Sequence, residues 1–157
     1  MKKEYLLMIQ GALAAAGAFF SDKFGILFPV FCLLLGAMVL DYITGMWASK
    51  IEAIEHPDDS GYGWTSKKGA KGIAKKVGYL SAIAVALVVD YVILNVSGEI
   101  GIDIPASAFF GLLIAIWYLL NELLSIIENA GRMGADVPEW MRKYIAVLRD
   151  TIDKKVE

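Results

Sequence analysis

The sequence predicts an all-α integral membrane protein. It has four transmembrane helices, both termini on the cytoplasmic side, and a C-terminal amphipathic cytoplasmic helix. Three observations carry this. Of the 157 residues, 57% are hydrophobic, against about 45–50% apolar residues in ordinary soluble domains. The apolar residues gather into four runs, at 5–20, 24–43, 77–96 and 104–124. The connections between the runs differ in charge in a regular way. A helix needs roughly 20 apolar residues to cross the ~30 Å hydrocarbon core. The last three runs meet that length, and the first is slightly short but usable.

The first run is rich in small residues. Gly11 and Ala15 stand four apart, as do Ala12 and Ala16. Small residues at that spacing let helices approach closely in lipid, so this face is expected to pack against another helix. The competing reading is a signal peptide, because Lys2 and Lys3 precede the run and Ala16-Gly17-Ala18 resembles a cleavage site. The second run contains Pro29, which is expected to bend its helix. Pro105 falls at the start of the fourth, where a missing N–H does no harm.

Charge orients the runs. Cytoplasmic connections carry the excess of Lys and Arg. The loop at 49–76 holds Lys50, Lys67, Lys68, Lys71, Lys75 and Lys76. The connection at 97–103 holds Glu99 and Asp103 and no cation. Lys2 and Lys3 mark the N-terminus. Arg132, Arg142, Lys143, Arg149, Lys154 and Lys155 mark the tail at 128–157. Both ends and the middle loop therefore belong inside. Neither wet piece is long enough to bury a core of its own, so residues 1–157 form a single membrane domain. After the break at Gly61 and Gly63, residues 65–76 read as a basic segment lying on the inner surface.

In the tail, Asp136 and Glu139 make a capping-box-like start around Pro138. Trp140, Met141, Tyr144, Leu148 and Ile152 follow at helical spacing. Two placements suit this amphipathic helix, the membrane surface or the same helix of another subunit. Charges of both signs on its polar face favour protein contact.

Ionisable groups inside the spans are the candidate functional residues. A carboxylate at the centre of a span costs ~3 kcal/mol on insertion scales, so such groups call for partners. Asp41, Asn121 and Glu122 lie near the inner ends of their spans, and Lys75 and Lys76 enter the third span at the same level. A polar layer joining Asp41, Glu122 and one of the lysines is expected; the alternative is that each carboxylate reaches water separately. Asp90 lies deeper, with no cation at its level. It is protonated, bonded to another helix, or facing water, and is a candidate for pore lining. Asn121, Ser125 and Asn129 recur every four residues on one helical face, flanked by Glu122 and Glu128.

Other chemistries find no support. A net charge of −2 gives no long-range attraction to nucleic acid. Cys32 lies within an apolar run and His56 has no ligand-spaced partner, so no metal site or cofactor is implied. No phosphate loop or catalytic triad appears, and no enzymatic activity is expected.

Together the polar landmarks form a recognisable series. Asp41-Tyr42-Ile43-Thr44-Gly45 closes the second span. Lys71-Gly72-Ile73-Ala74-Lys75-Lys76 opens the third, which carries Asp90. Asn121-Glu122-Leu123-Leu124-Ser125-Ile126-Ile127-Glu128-Asn129 closes the fourth, ahead of Gly134 and Pro138. Over residues 31–148 the chain resembles the phage lysis and toxin-secretion holin family of phages and prophages of Gram-positive bacteria. The resemblance implies a protein that accumulates among the lipids of the host cytoplasmic membrane and self-associates into homo-oligomers. It then opens lesions that release an endolysin, or in some relatives a toxin. The acidic stretch at 52–59 and the small-residue first span are less typical of that family. Two other classes share the topology: a small oligomeric channel or transporter subunit, and a membrane adaptor that holds a soluble partner through its tail helix. Ion-specific flux without passage of macromolecules distinguishes the first; loss of the partner alone on deleting residues 138–157 distinguishes the second.

Overall fold

The computed structural model describes residues 2–59, 61–102, 104 and 108–156. Among them the chain is helical without strands: α1 (Lys2–Phe24), α2 (Leu27–Glu55), α3 (Ser66–Glu99), α4 (Phe109–Arg132) and α5 (Glu139–Val156). The first four are long and apolar enough to cross a membrane.

Local chemistry sets each boundary. Gly25 takes φ +50°, a left-handed conformation that glycine adopts without strain, and it separates α1 from α2. Pro29 is thus the third residue of α2. The first four amides of a helix have no intrahelical acceptor, so Pro29 forfeits nothing there, and the expected bend loses its cause. α2 continues past the apolar run to Glu55 because residues 44–55 hold no proline. It ends at His56, immediately before Pro57.

The basic segment at 65–76 differs from expectation. It forms the first three turns of α3 rather than part of a loop. Thr65 starts that helix, with extended backbone and its Oγ1 accepting from the Lys68 N–H at 3.2 Å. The connection between α2 and α3 accordingly shrinks from 49–76 to 56–65. At its far end α3 closes in a Schellman-type turn. Gly101 takes φ +75° and the Ile102 N–H donates to the Ser97 carbonyl at 2.8 Å. α4 starts at Phe109, later than the apolar run suggests. Pro105 lies outside the described residues. α4 carries its polar exit in helical form to Arg132, where Gly134 at φ +87° and an Ala135 N–H to Ala130 carbonyl bond of 3.0 Å repeat the same turn. The bond at the entry of α5 runs from the Met141 N–H to the Pro138 carbonyl.

α4 is the central element. It packs against α2, α3 and α5, whereas α2 and α3 touch each other only slightly and α1 meets α2 alone. The apolar centre is small: Leu27, Leu34, Met38, Ile83 and Ala115, with Tyr79, Leu80, Leu112 and Tyr118 against it. Tyr79 and Tyr118 stack at 3.9 Å between centroids and join α3 to α4. Large apolar side chains such as Leu33, Val39, Val85, Val88 and Phe109 face outward, as suits a hydrocarbon solvent. On α1, Gly11, Ala12, Ala15 and Ala16 are all exposed. Among the described residues of one chain these four pack against no other helix.

Candidate functional site

The helices bring their polar residues together at the lysine-rich end of the bundle. Lys76, on α3, points between α2 and α4. Its ammonium donates to Asp41 Oδ2 at 2.8 Å and also to Glu122 Oε2. Glu122 is 2% exposed, so this ion pair is withdrawn from solvent. Charges so placed are tolerable only when paired and hydrogen-bonded. Two carboxylates on one ammonium require the further donors that α4 supplies.

Two helical turns beyond Glu122, Asn129 supplies them. Its Nδ2 donates to Asp41 Oδ1 at 3.1 Å and to Thr44 Oγ1 at 3.3 Å. Its Oδ1 accepts from Arg132 Nη1 at 2.9 Å. Arg132 in turn grips Glu52 with two bonds of 2.7 Å each, the paired geometry in which a guanidinium binds a carboxylate best. A continuous series therefore runs Glu122, Lys76, Asp41, Asn129, Arg132, Glu52, and ties α2, α3 and α4 together. The Asp-Tyr-x-Thr-Gly motif gains a physical meaning here. Asp41 and Thr44 are bonded to Asn129, a Cβ on Gly45 would sit 3.4 Å from the same amide, and the Tyr42 hydroxyl lies 3.0 Å from where a Cβ on Gly69 would be.

At the outer part of this series Arg132 holds the Glu52 carboxyl below its ordinary range, through its hydrogen bonds first and its charge second. Both residues lie past the apolar runs.

Asp90 is served differently. It is 5% exposed and meets no cation among the described residues. Its Oδ1 accepts from the Phe110 N–H at 2.9 Å and its Oδ2 from the Gly111 N–H at 2.7 Å. These are orphan amides at the start of α4, whose own N-cap residue Ala108 provides no side-chain cap. The carboxylate therefore caps a neighbouring helix at its positive end. Of the three states open to Asp90, bonding to another helix is the one found. Gly111 makes the approach possible: a Cβ there would lie 2.6 Å from Leu87 Cδ2 and 3.3 Å from Asp90 Oδ2.

The remaining candidates divide. Lys75 stays outside the ion network, its ammonium 5.5 Å from the Tyr79 ring centroid. Ser125 borders a cavity beside Asn129. Asn121 is half-buried and Glu128 exposed, and neither joins the series. Thr44, Glu52, Arg132 and Gly111 belong to the site but were not expected from the sequence. The spacing of Asn129 and Arg132, three apart on one helix, was an available signal; nothing local in the sequence tied either to Glu52. Among the described residues no group of side chains is arranged to hold a metal.

Four membrane-length helices, three of them joined by buried ion pairs and an inter-helix cap, define a helical membrane protein. Comparison with known proteins narrows the class. The chain belongs to the bacteriophage holin family, whose model matches residues 18–150. It is 35% identical over 137 residues to an uncharacterized protein of Halalkalibacterium halodurans, covering 87% of this chain and 88% of that one. It is 36% identical over 134 residues to an uncharacterized protein of Listeria monocytogenes, covering 84% and 80%. A further relative, an uncharacterized protein of Clostridium perfringens, is 28% identical over 145 residues, covering 92% and 93%. No solved structure matches.

Proposed function

We propose that the protein is a holin, which self-associates in the cytoplasmic membrane of a bacterial host and opens lesions through which an endolysin or a toxin leaves the cell. The observation that carries this reading is how the bundle is held. Three membrane-length helices are joined at one end by a polar series, two of them, α3 and α4, are joined again deeper in by Asp90, and the apolar centre is small. Polar contacts of this kind have a substitute in water. When helices separate around an aqueous lesion, Lys76, Asp41, Glu122 and Asn129 exchange one another for solvent, whereas an apolar core has no such alternative. Two arrangements of the same helices then differ by only a few kcal/mol, the condition for a switch. Exposed small residues on α1 and the outward apolar faces supply surfaces for contact between copies.

A channel or transporter subunit needs polar groups at mid-depth to form its site. Among the described residues Asp90 is the one acid at that depth, and both its oxygens are spent on α4. The basic connection and both termini lie on the cytoplasmic side in this reading, as the distribution of lysine and arginine requires.

The test is induced expression in a bacterial host together with an endolysin that has no export signal. Membrane potential and enzyme in the medium are followed with time. Abrupt depolarisation with release of the enzyme supports the reading. Continued growth at full potential, with the protein abundant in the membrane, overturns it.

A further inference from the structure

Beside the polar series, a cavity of about 200 Å³ opens between the lysine-rich ends of α2, α3 and α4. A water needs only ~10–15 Å³ of such space, so the cavity has room for a polyatomic group. Its lining is rich in donors that the fold leaves unused. Ser49 is 8% exposed, lines the cavity, and makes no side-chain hydrogen bond to a described residue. That hydroxyl is free to bond a group held in the cavity. The Tyr42 and Ser125 hydroxyls and the Trp64 indole also line this space with no hydrogen bond among the described residues.

Of the three charged groups in the lining, Lys68 and Lys76 are cations and Asp41 is an anion. An ammonium carries three donors. Lys68 spends two of them, on the Gly61 carbonyl at 3.1 Å and the Gly63 carbonyl at 2.9 Å. Lys76 spends two on Asp41 and Glu122. Each keeps one. Asp41 is the one carboxylate in the lining, and its oxygens are engaged by Lys76 and Asn129. An acceptor-rich group of negative charge suits this set, and a cation does not.

We propose that this cavity binds a phosphate group. Lys68 meets its charge at the mouth, and Ser49 with the other hydroxyls accommodates its oxygens deeper in. The cavity lies where the apolar run of α2 ends, at the headgroup level of a bilayer. Two sources therefore offer the same chemistry: the phosphodiester of a membrane phospholipid, and phosphate from solution. The proposal does not depend on the lysis reading.

The test uses the full-length protein in two media. In a detergent free of phosphorus, inorganic phosphate is titrated and its ³¹P line width followed. In nanodiscs of phosphatidylglycerol diluted in phosphatidylcholine, native mass spectrometry counts retained phosphatidylglycerol. Each is repeated with Lys68→Gln, Ser49→Ala and, as a control, Lys71→Gln, whose exposed side chain does not line the cavity. Saturable broadening that weakens about tenfold in K68Q and S49A, the loss of one hydrogen bond to a charged group, and persists in K71Q identifies soluble phosphate. Retained phosphatidylglycerol with the same dependence, without broadening, identifies the lipid. Binding absent from both media, or weakened equally by K68Q and K71Q, overturns the proposal.

Discussion

Asp90 on α3 accepts the Gly111 amide of α4 at 2.7 Å, so an acid within one membrane-length helix serves as the cap of the next. The bond satisfies a buried carboxylate and two orphan amides at once. Replacing Asp90 by alanine leaves those amides unpaired and should destabilise the bundle by about 1–3 kcal/mol. Asparagine, itself a good cap, should restore part of the loss. Thermal unfolding in detergent, followed by circular dichroism, checks the order wild type, D90N, D90A. Equal melting of all three would show that the contact contributes nothing.

Gly111→Ala tests the closeness of α3 and α4. Its Cβ would sit 2.6 Å from Leu87 Cδ2, so Leu87 must move or the helices must part. Overpacking of this kind costs typically ~1–3 kcal/mol. Because the clash is with a side-chain end, Leu87→Ala added to G111A should recover stability relative to G111A alone. A double-mutant cycle with strictly additive effects would refute the clash.

Lys76 is the sole cation between Asp41 and Glu122 among the described residues. Lys76→Met strands two carboxylates and should cost about 3–5 kcal/mol, the usual penalty for breaking a buried pair on one side. Adding Glu122→Gln removes one stranded charge and should return a large part of it. In cells K76M should advance the onset of depolarisation, by weakening the closed arrangement. Unchanged timing would separate the ion pairs from any role in opening.

The Glu52–Arg132 pair adds a pH dependence. The Glu52 carboxyl is held below its ordinary value of 4.5. The pair's stabilisation is therefore complete above that value and is lost as the pH falls through the depressed one. Exposed pairs contribute at most ~1 kcal/mol, so the effect is small. Melting temperature compared between wild type and Arg132→Gln should differ most near neutrality and converge as the pH drops below 4.5. A constant difference across that range would exclude the pair as its source.

Much of the site was legible because lipid makes polarity conspicuous. Asp41, Lys76 and Glu122 stood out at one level of three apolar runs, and the structure brings them into contact. The same reasoning placed Lys75 on equal terms with Lys76, since adjacent residues share a depth. Only the rotation of α3 directs Lys76 between α2 and α4 and sets Lys75 over Tyr79. Asp90 was conspicuous too, but its partners were backbone amides, which every residue except proline carries and no sequence pattern advertises. The apolar runs do not give the helix ends for a related reason. Apolar runs measure the thickness of the hydrocarbon, whereas α2, α3 and α4 continue wherever caps and the absence of proline allow.

The amino-acid order alone determined the solvent, the number of membrane-length helices and the presence of acids that needed partners. Those follow from transfer free energies and local backbone preferences, which act over a few residues. Tertiary structure decided which partner each acid took, that Gly111 must lack a side chain, and that α4 stands at the centre. These depend on the rotation and separation of helices far apart in the chain, where a shift of an ångström exchanges one hydrogen-bond partner for another.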